Sequence, residues 1–323
     1  MTPALNSTMQ CARIRLSVTS LVHSMFRVTE LGDGVFIGCS VNHAVTDGTS
    51  FWNFFNSFAE ICRRIGDDSD KSIERIARQP DFTRDSVLIS PAILQVPDGR
   101  PKVTFNENEA LSERIFSFSR EAILELKAKV NNSVVNGDFN AVEILGKQSN
   151  DKYYAETAAP VSKTAEISSF QSLSALLWRA VEPEAFGNSI QSIPTYASAG
   201  DVKSRDLRWC SRQLNDRVRA HDYETVRLFA RNWEEDPRCF PLGNFDGGCM
   251  TMGSSPRFPM YDNDFGWGRP LAVRIGGANK FDGKISAFPR REGNGSVDLD
   301  VVLAPETMAA IESDVEFMQY VMN

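Results

Sequence analysis

The sequence predicts an α/β protein built in layers, and three observations carry that expectation. Short apolar runs at period two alternate along the chain with longer runs at the helical period. The length, 323 residues, exceeds what one hydrophobic core usually organises, so two domains are expected. A composition of 42% hydrophobic and 24% charged residues, without internal repeat, is that of an ordinary globular chain.

The elements follow in order. Residues 33–43, DGVFIGCSVNH, read as a strand. Val35, Ile37, Cys39 and Val41 alternate with Phe36, Gly38, Ser40 and Asn42, and both sets are apolar or small, so cover on both faces is expected. Residues 49–65, TSFWNFFNSFAEICRRI, read as a helix capped by Thr49 or Ser50, with Phe51, Phe54, Phe55, Phe58, Ile61 and Ile65 along one broad stripe. The polar, proline-bearing stretch that follows places a crossover linker at 81–101, between a unit 1–80 and a unit 102–323. SERIFSFS (112–119) reads as a strand and REAILELKAKV (120–130) as a helix, followed by a surface excursion. Ser168 and Gln171 form a capping box for a helix through LLWRAV. Residues 201–236 are mostly helical by period, and 273–303 hold strands joined by a Gly/Asn turn. The chain closes, over 304–321, as one helix with Pro305 at its start.

The net charge of -7, with no dense Lys/Arg block, argues against nucleic acid as a partner. Cys11, Cys39, Cys62, Cys210, Cys239 and Cys249 form no CxxC pair and read as free buried thiols in a reducing compartment. No apolar run approaches the roughly 18 residues that a membrane span needs. The N-terminal stretch after Arg13 and Arg15 is too polar for a secretory leader, so a cytoplasmic location is expected.

The chain has three histidines, and one stands in a distinctive place: VNHAVTDGTSFWNFF, residues 41–55, sets His43 at a strand end, four residues before Asp47 and ahead of an aromatic helix. A packed structural histidine is one reading. Zinc is disfavoured because His23 and His221 lie in no matching cluster, and a serine-hydrolase triad because no GxSxG is present. The catalytic reading makes His43 a general base, since an imidazole can be neutral near pH 7 and still accept a proton. Gly48 would then let the chain turn sharply, and Asp47 would fold back to hold the loop. A second stretch, NDFGWGRP (263–270), is rich in glycine and aromatics. Its Asp264-Phe265-Gly266 matches the kinase magnesium motif only superficially, because no HRD loop or VAIK strand accompanies it. The bland reading is a glycine-bounded turn around a buried Trp267.

Together, HAVTDG and DFGWG resemble the HxxxDG and DFGWG signatures of the plant BAHD acyltransferases. DGVFIGCSVNHAVTDGTSFWNFFNSFAEI, SSFQSLSALLWRAV, FGNSIQSIPTYASAGDV, DPRCFPLGNFDG and PETMAAIESDVEFMQYV are similar to its uncharacterised-acetyltransferase and defective-in-cuticular-ridges subgroup. The resemblance implies a chloramphenicol-acetyltransferase-like two-domain fold and an enzyme of plant specialised metabolism. It implies His43 as the base, Asp47 and Gly48 as bracing for its loop, and Asp264, Phe265, Gly266, Trp267 and Gly268 as a structural element on the CoA side. It further implies a monomer that moves an acyl group from acyl-CoA, as co-substrate, to an alcohol or amine, with no metal and no bound cofactor.

The chain departs from the family pattern at two points. His43 comes early, which leads to the expectation that the first domain is largely missing. After Val181 the chain passes through EPEA to Phe186 without the family's arginine-bearing strand. Asp264 is therefore expected to lack an arginine clamp, with Arg179 and Arg269 the nearest candidates, and to turn outward, titrate higher or find a substitute. The alternative to an active acyltransferase is a catalytically impaired, truncated remnant or pseudogene product.

Overall fold

The structure, a computed structural model, describes residues 25–43, 45–66, 80, 110–132, 190–236, 249–277 and 280–322. The whole 81–101 crossover region and the helix anticipated after Ser168 lie outside these residues.

β1 (Met25–Glu30) and β2 (Val35–Ser40) form an antiparallel hairpin, with Met25 opposite Ser40 and Glu30 opposite Val35. Its turn closes where the Leu31 N–H donates to the Gly34 carbonyl at 2.8 Å. β1 escapes the sequence reading, and β2 is not covered on both faces as anticipated. Val28, Val35 and Phe36 are exposed: among the described residues the hairpin pairs only with itself, and one of its inner side chains, Phe26, meets a helix.

That helix is α1 (Gly48–Gly66). Its cap is Asp47, not Thr49 or Ser50: the Asp47 carboxylate accepts the Ser50 N–H at 2.9 Å, satisfying a donor that a helix start leaves open. The apolar stripe is real and splits into two contacts. Phe26 lies 4.8 Å from the Phe58 ring and 6.3 Å from that of Phe55. Trp52, on another side, reaches the second half of the chain.

β3 (Ser112–Phe118) and α2 (Arg120–Asn132) match the expected strand and helix. The 201–236 region resolves into α3 (Ala199–Ser204), α4 (Leu207–Ala220) and α5 (Tyr223–Glu235). Each starts at a side chain that accepts a backbone N–H: Ser198, Asp206 and Asp222. β4 (Thr251–Gly253), β5 (Lys284–Pro289) and β6 (Val297–Leu303) complete a sheet ordered β3-β6-β5-β4, antiparallel except for β4 beside β5. The anticipated Gly/Asn turn joins β5 to β6, with Gly293, Asn294 and Gly295 all at positive φ.

The single closing helix is instead two, α6 (Pro305–Glu312) and α7 (Val315–Met318). The break falls at Asp314, whose carboxylate accepts the Phe317 N–H at 2.8 Å and restarts the helix.

Both faces of the four-stranded sheet are packed. On one, Phe116, Phe118, Val301 and Leu303 meet Met308 and Tyr320, with α2 side chains alongside. Each such buried side chain contributes about 1.5–3 kcal/mol. On the other, Phe288 packs with Met260 and Tyr261, and Trp52 of α1 closes over them. The described thiols are less buried than expected: Cys39, Cys62 and Cys210 are half-buried and Cys249 is exposed, while Cys11 and Cys239 lie outside the described residues. Burial still pushes the Cys39 thiol up to about 12.

Candidate active site

His43 follows β2 in a turn whose Val45 N–H donates to the Asn42 carbonyl at 3.1 Å, and its imidazole is exposed. Val45 is exposed, and beyond it the chain dives inward. Thr46 and Asp47 are 5% and 6% exposed and Ser50 is 1% exposed. The turn therefore hangs from a buried, capped helix start.

Gly48 is not at a sharp turn. It is the first residue of α1, and its backbone lies outside the left-handed region. Its need is for space: a Cβ built there would sit 2.6 Å from two atoms of the Phe258 ring. Four residues on, Trp52 packs into the cluster that includes Phe258, and four further on the Asn56 amide donates to the Pro259 carbonyl at 3.0 Å. Residues 48, 52 and 56 share one helix face, and that face rests on the 258–261 segment.

The Asp264–Gly268 segment meets a different face of the same helix. The Phe265 ring stands edge-on to Phe55 at 5.7 Å and to Phe58 at 5.8 Å. Trp267 stacks on Phe265 at 6.5 Å and is 56% exposed, so it is a surface ring and not the buried one anticipated. Asp264 accepts the N–H groups of Gly266 and Gly268, both at 2.8 Å. These bonds, with Arg63 nearby, hold its carboxyl below the ordinary carboxylate value. Its substitute for an arginine clamp is thus its own loop, and its titration moves down. Among the described residues no guanidinium forms an ion pair with Asp264. Arg269 turns instead to the Tyr261 carbonyl at 3.0 Å and to Asp262, while Arg179 lies outside the described residues.

A separate recess lies on the sheet face below Tyr261, lined also by Phe288, Arg274, Asp298 and Asp300. Asp298 accepts the Ser117 hydroxyl at 2.6 Å. Asp300 is buried, and among the described residues its Oδ1 has no hydrogen-bond partner. Burial raises its pKa; Lys280 opposes this and Glu113 adds to it. His43 is not part of this recess. Among the described residues no three His, Cys, Asp or Glu side chains gather as metal ligands, and no helix is long and apolar enough to cross a membrane.

Sequence reasoning did not single out Phe258, Asn56 or Arg63. Phe258 and Asn56 act through pairs that lie about two hundred positions apart in the chain, where no local pattern speaks.

Residues 21–183 and 180–318 match the Transferase family, and the chain belongs to that family, the BAHD acyltransferases. It is 30% identical over 306 residues to the BAHD acyltransferase DCR of Arabidopsis thaliana, covering 90% of this chain and 61% of that protein. It is 29% identical over 327 residues to an uncharacterized acetyltransferase of the same plant, covering 91% and 66%. The chain thus spans just under two thirds of the length of these relatives. In structure it is similar to TRI101 of F. graminearum, solved with coenzyme A and deoxynivalenol, at a TM-score of 0.60 and 15% identity over 93% of this chain and 70% of that one. Vinorine synthase matches at 0.53 and 16% over 92% and 65%. These likenesses establish the α/β acyltransferase fold.

Proposed function

We infer that this chain is an acyl-CoA-dependent O- or N-acyltransferase in which His43 is the general base. The observation that carries the reading is the seating of His43: an exposed imidazole at a strand end, on a turn anchored by the buried, capped start of α1, in a chain of this family. The acceptor's hydroxyl or amine gives its proton to the neutral imidazole as its oxygen or nitrogen attacks the thioester carbonyl. A tetrahedral oxyanion forms. It collapses by breaking the carbon–sulfur bond, and the imidazolium returns the proton to the departing CoA thiolate. No net charge or metal is needed.

Asp47 and Gly48 brace the His43 turn, the first by capping α1 and the second by letting Phe258 close over it. Asp264, Phe265, Gly266, Trp267 and Gly268 support the fold on the CoA side, through the Phe265 contact with α1. Two units, residues 1–80 and 102–323 with the linker 81–101 between them, contribute one signature each. The reading includes a monomeric cytoplasmic enzyme of plant specialised metabolism acting on small molecules, and TRI101 in complex with coenzyme A supports the CoA assignment by likeness of fold.

The test is CoA thiol release from an acyl-CoA with a panel of alcohols and amines. His43→Ala is expected to lose about 10² to 10⁴ of the rate. Turnover unchanged in that variant would refute the assignment.

A further inference from the structure

We propose that Phe258 is a positioning residue for His43, acting through its packing on Gly48. This rests on the general-base reading only for its catalytic consequence; the geometric part stands without it.

Three observations carry it. First, the Phe258 ring occupies the volume that any side chain at position 48 would fill, with Cε2 and Cζ both 2.6 Å from the built Cβ. Contacts that short do not survive, so a methyl group at position 48 must displace either a half-buried ring packed against the Met260, Tyr261 and Phe288 cluster or the start of α1. Second, the start of α1 cannot yield alone. Asp47 is tied to it by the Ser50 N–H and the Phe51 N–H, the latter reaching the Asp47 carbonyl at 2.9 Å, and Thr46, Asp47 and Ser50 are all buried. A shift at Gly48 therefore passes to Asp47 and Thr46 and on to the turn that ends at Val45, in which His43 stands. Third, the segment bearing Phe258 is itself fixed. Its Phe258 N–H donates to the Ser255 carbonyl at 3.1 Å, the Asn56 amide holds the Pro259 carbonyl, and Met260 is 1% exposed. The second half of the chain thus sets the height of the histidine turn where the Phe258 ring meets the Gly48 backbone. The glycine of HAVTDG is needed at that contact because only a residue without Cβ admits the ring.

The experiment uses the full chain and four forms of it: unsubstituted, Gly48→Ala, Phe258→Ala and the pair. With His23, His43 and His221 as its only histidines, the imidazole region of its NMR spectrum is simple, and His43→Gln assigns the signal. Gly48→Ala is expected to move the His43 resonances and leave those of His221 in place. Removing the ring in the double variant is expected to return them towards their original positions. In parallel, CoA release from acetyl-CoA should fall roughly tenfold or more in kcat for Gly48→Ala, with little change in KM, and recover in the pair. If Gly48→Ala does not fold, a double variant that folds and melts near Phe258→Ala is the same rescue. The proposal is overturned if His43 signals do not move in Gly48→Ala, if they move and the pair does not restore them, or if the pair fails to fold while Phe258→Ala folds. Loss of the general-base reading shows separately, as activity retained in His43→Ala with these NMR shifts intact.

Discussion

Gly48 and Gly266 belong to the two signature segments that α1 draws together, and they differ in what a methyl group would do to them. At Gly48 the backbone is ordinary and the space is taken, by Phe258 at 2.6 Å. At Gly266 the space is open, with Arg63 Cγ at 3.8 Å, but φ is +103°, a conformation L side chains rarely adopt. The carboxylates of the two segments, by contrast, do the same work. Asp47 and Asp264 each accept backbone N–H groups of their own segment. The two glycines are thus constrained differently, Gly48 from outside, by packing against distant chain, and Gly266 from within, by its own backbone. The first should be sensitive to changes elsewhere in the molecule and the second should not.

That contrast can be broken in three ways. The largest effect is expected from the carboxylates. Asp47→Ala removes a buried cap and should cost about 1–2 kcal/mol in denaturant unfolding. Asp264→Ala, in a more open loop, should cost less, and equal losses would erase the distinction. Next, Gly266→Ala should cost about 1–2 kcal/mol from backbone strain alone. No substitution of a neighbouring side chain should relieve it, whereas Gly48→Ala is relieved by shrinking Phe258. Relief of Gly266→Ala by Arg63→Ala would show that space, not φ, limits both.

The smallest effect concerns pH, with Asp300 as the reference carboxylate that among the described residues lacks such N–H donors. Asp264 has a depressed pKa in the folded protein, so its contribution is present above the unfolded carboxylate value and is lost as pH falls through the lower folded one. Asp300 is raised by burial, so its contribution is present below the unfolded value and is lost as pH rises through the raised one. Asp300→Asn is therefore expected to stabilise the protein at neutral pH by on the order of 1 kcal/mol, a gain that vanishes in acid. Melting curves across pH check both signs, and a gain that persists in acid would contradict the burial account.

How far the sequence carried these conclusions depends on the range of the interaction. α1, β3, α2, β5 and β6 are legible because hydrophobic period and turn glycines are local. The start of α1 reads two to three residues late, because its apolar stripe begins at Phe51 whereas its cap, Asp47, precedes it. The break at Asp314 is hidden inside a continuous helical pattern, where a capping carboxylate competes with helix propagation. β2 reads as covered because alternation records which residues are apolar, not whether anything packs on them. The two signatures are legible as motifs, yet their meeting through Phe55, Phe58 and Phe265 is not. A contact between position 48 and position 258 leaves no mark on either stretch alone.

The bond from Asn56 to the Pro259 carbonyl, with the ring beneath Gly48, has a practical meaning for anyone recombining this chain with its relatives. A crossover placed anywhere between residues 66 and 255 hands the histidine segment of one parent to the supporting segment of another. The join would look harmless in an alignment, and the helix would still form. The imidazole would nonetheless be presented at a height chosen by a foreign loop. Exchanges that keep 43–58 and 255–265 from one parent preserve that pairing of helix and loop whole.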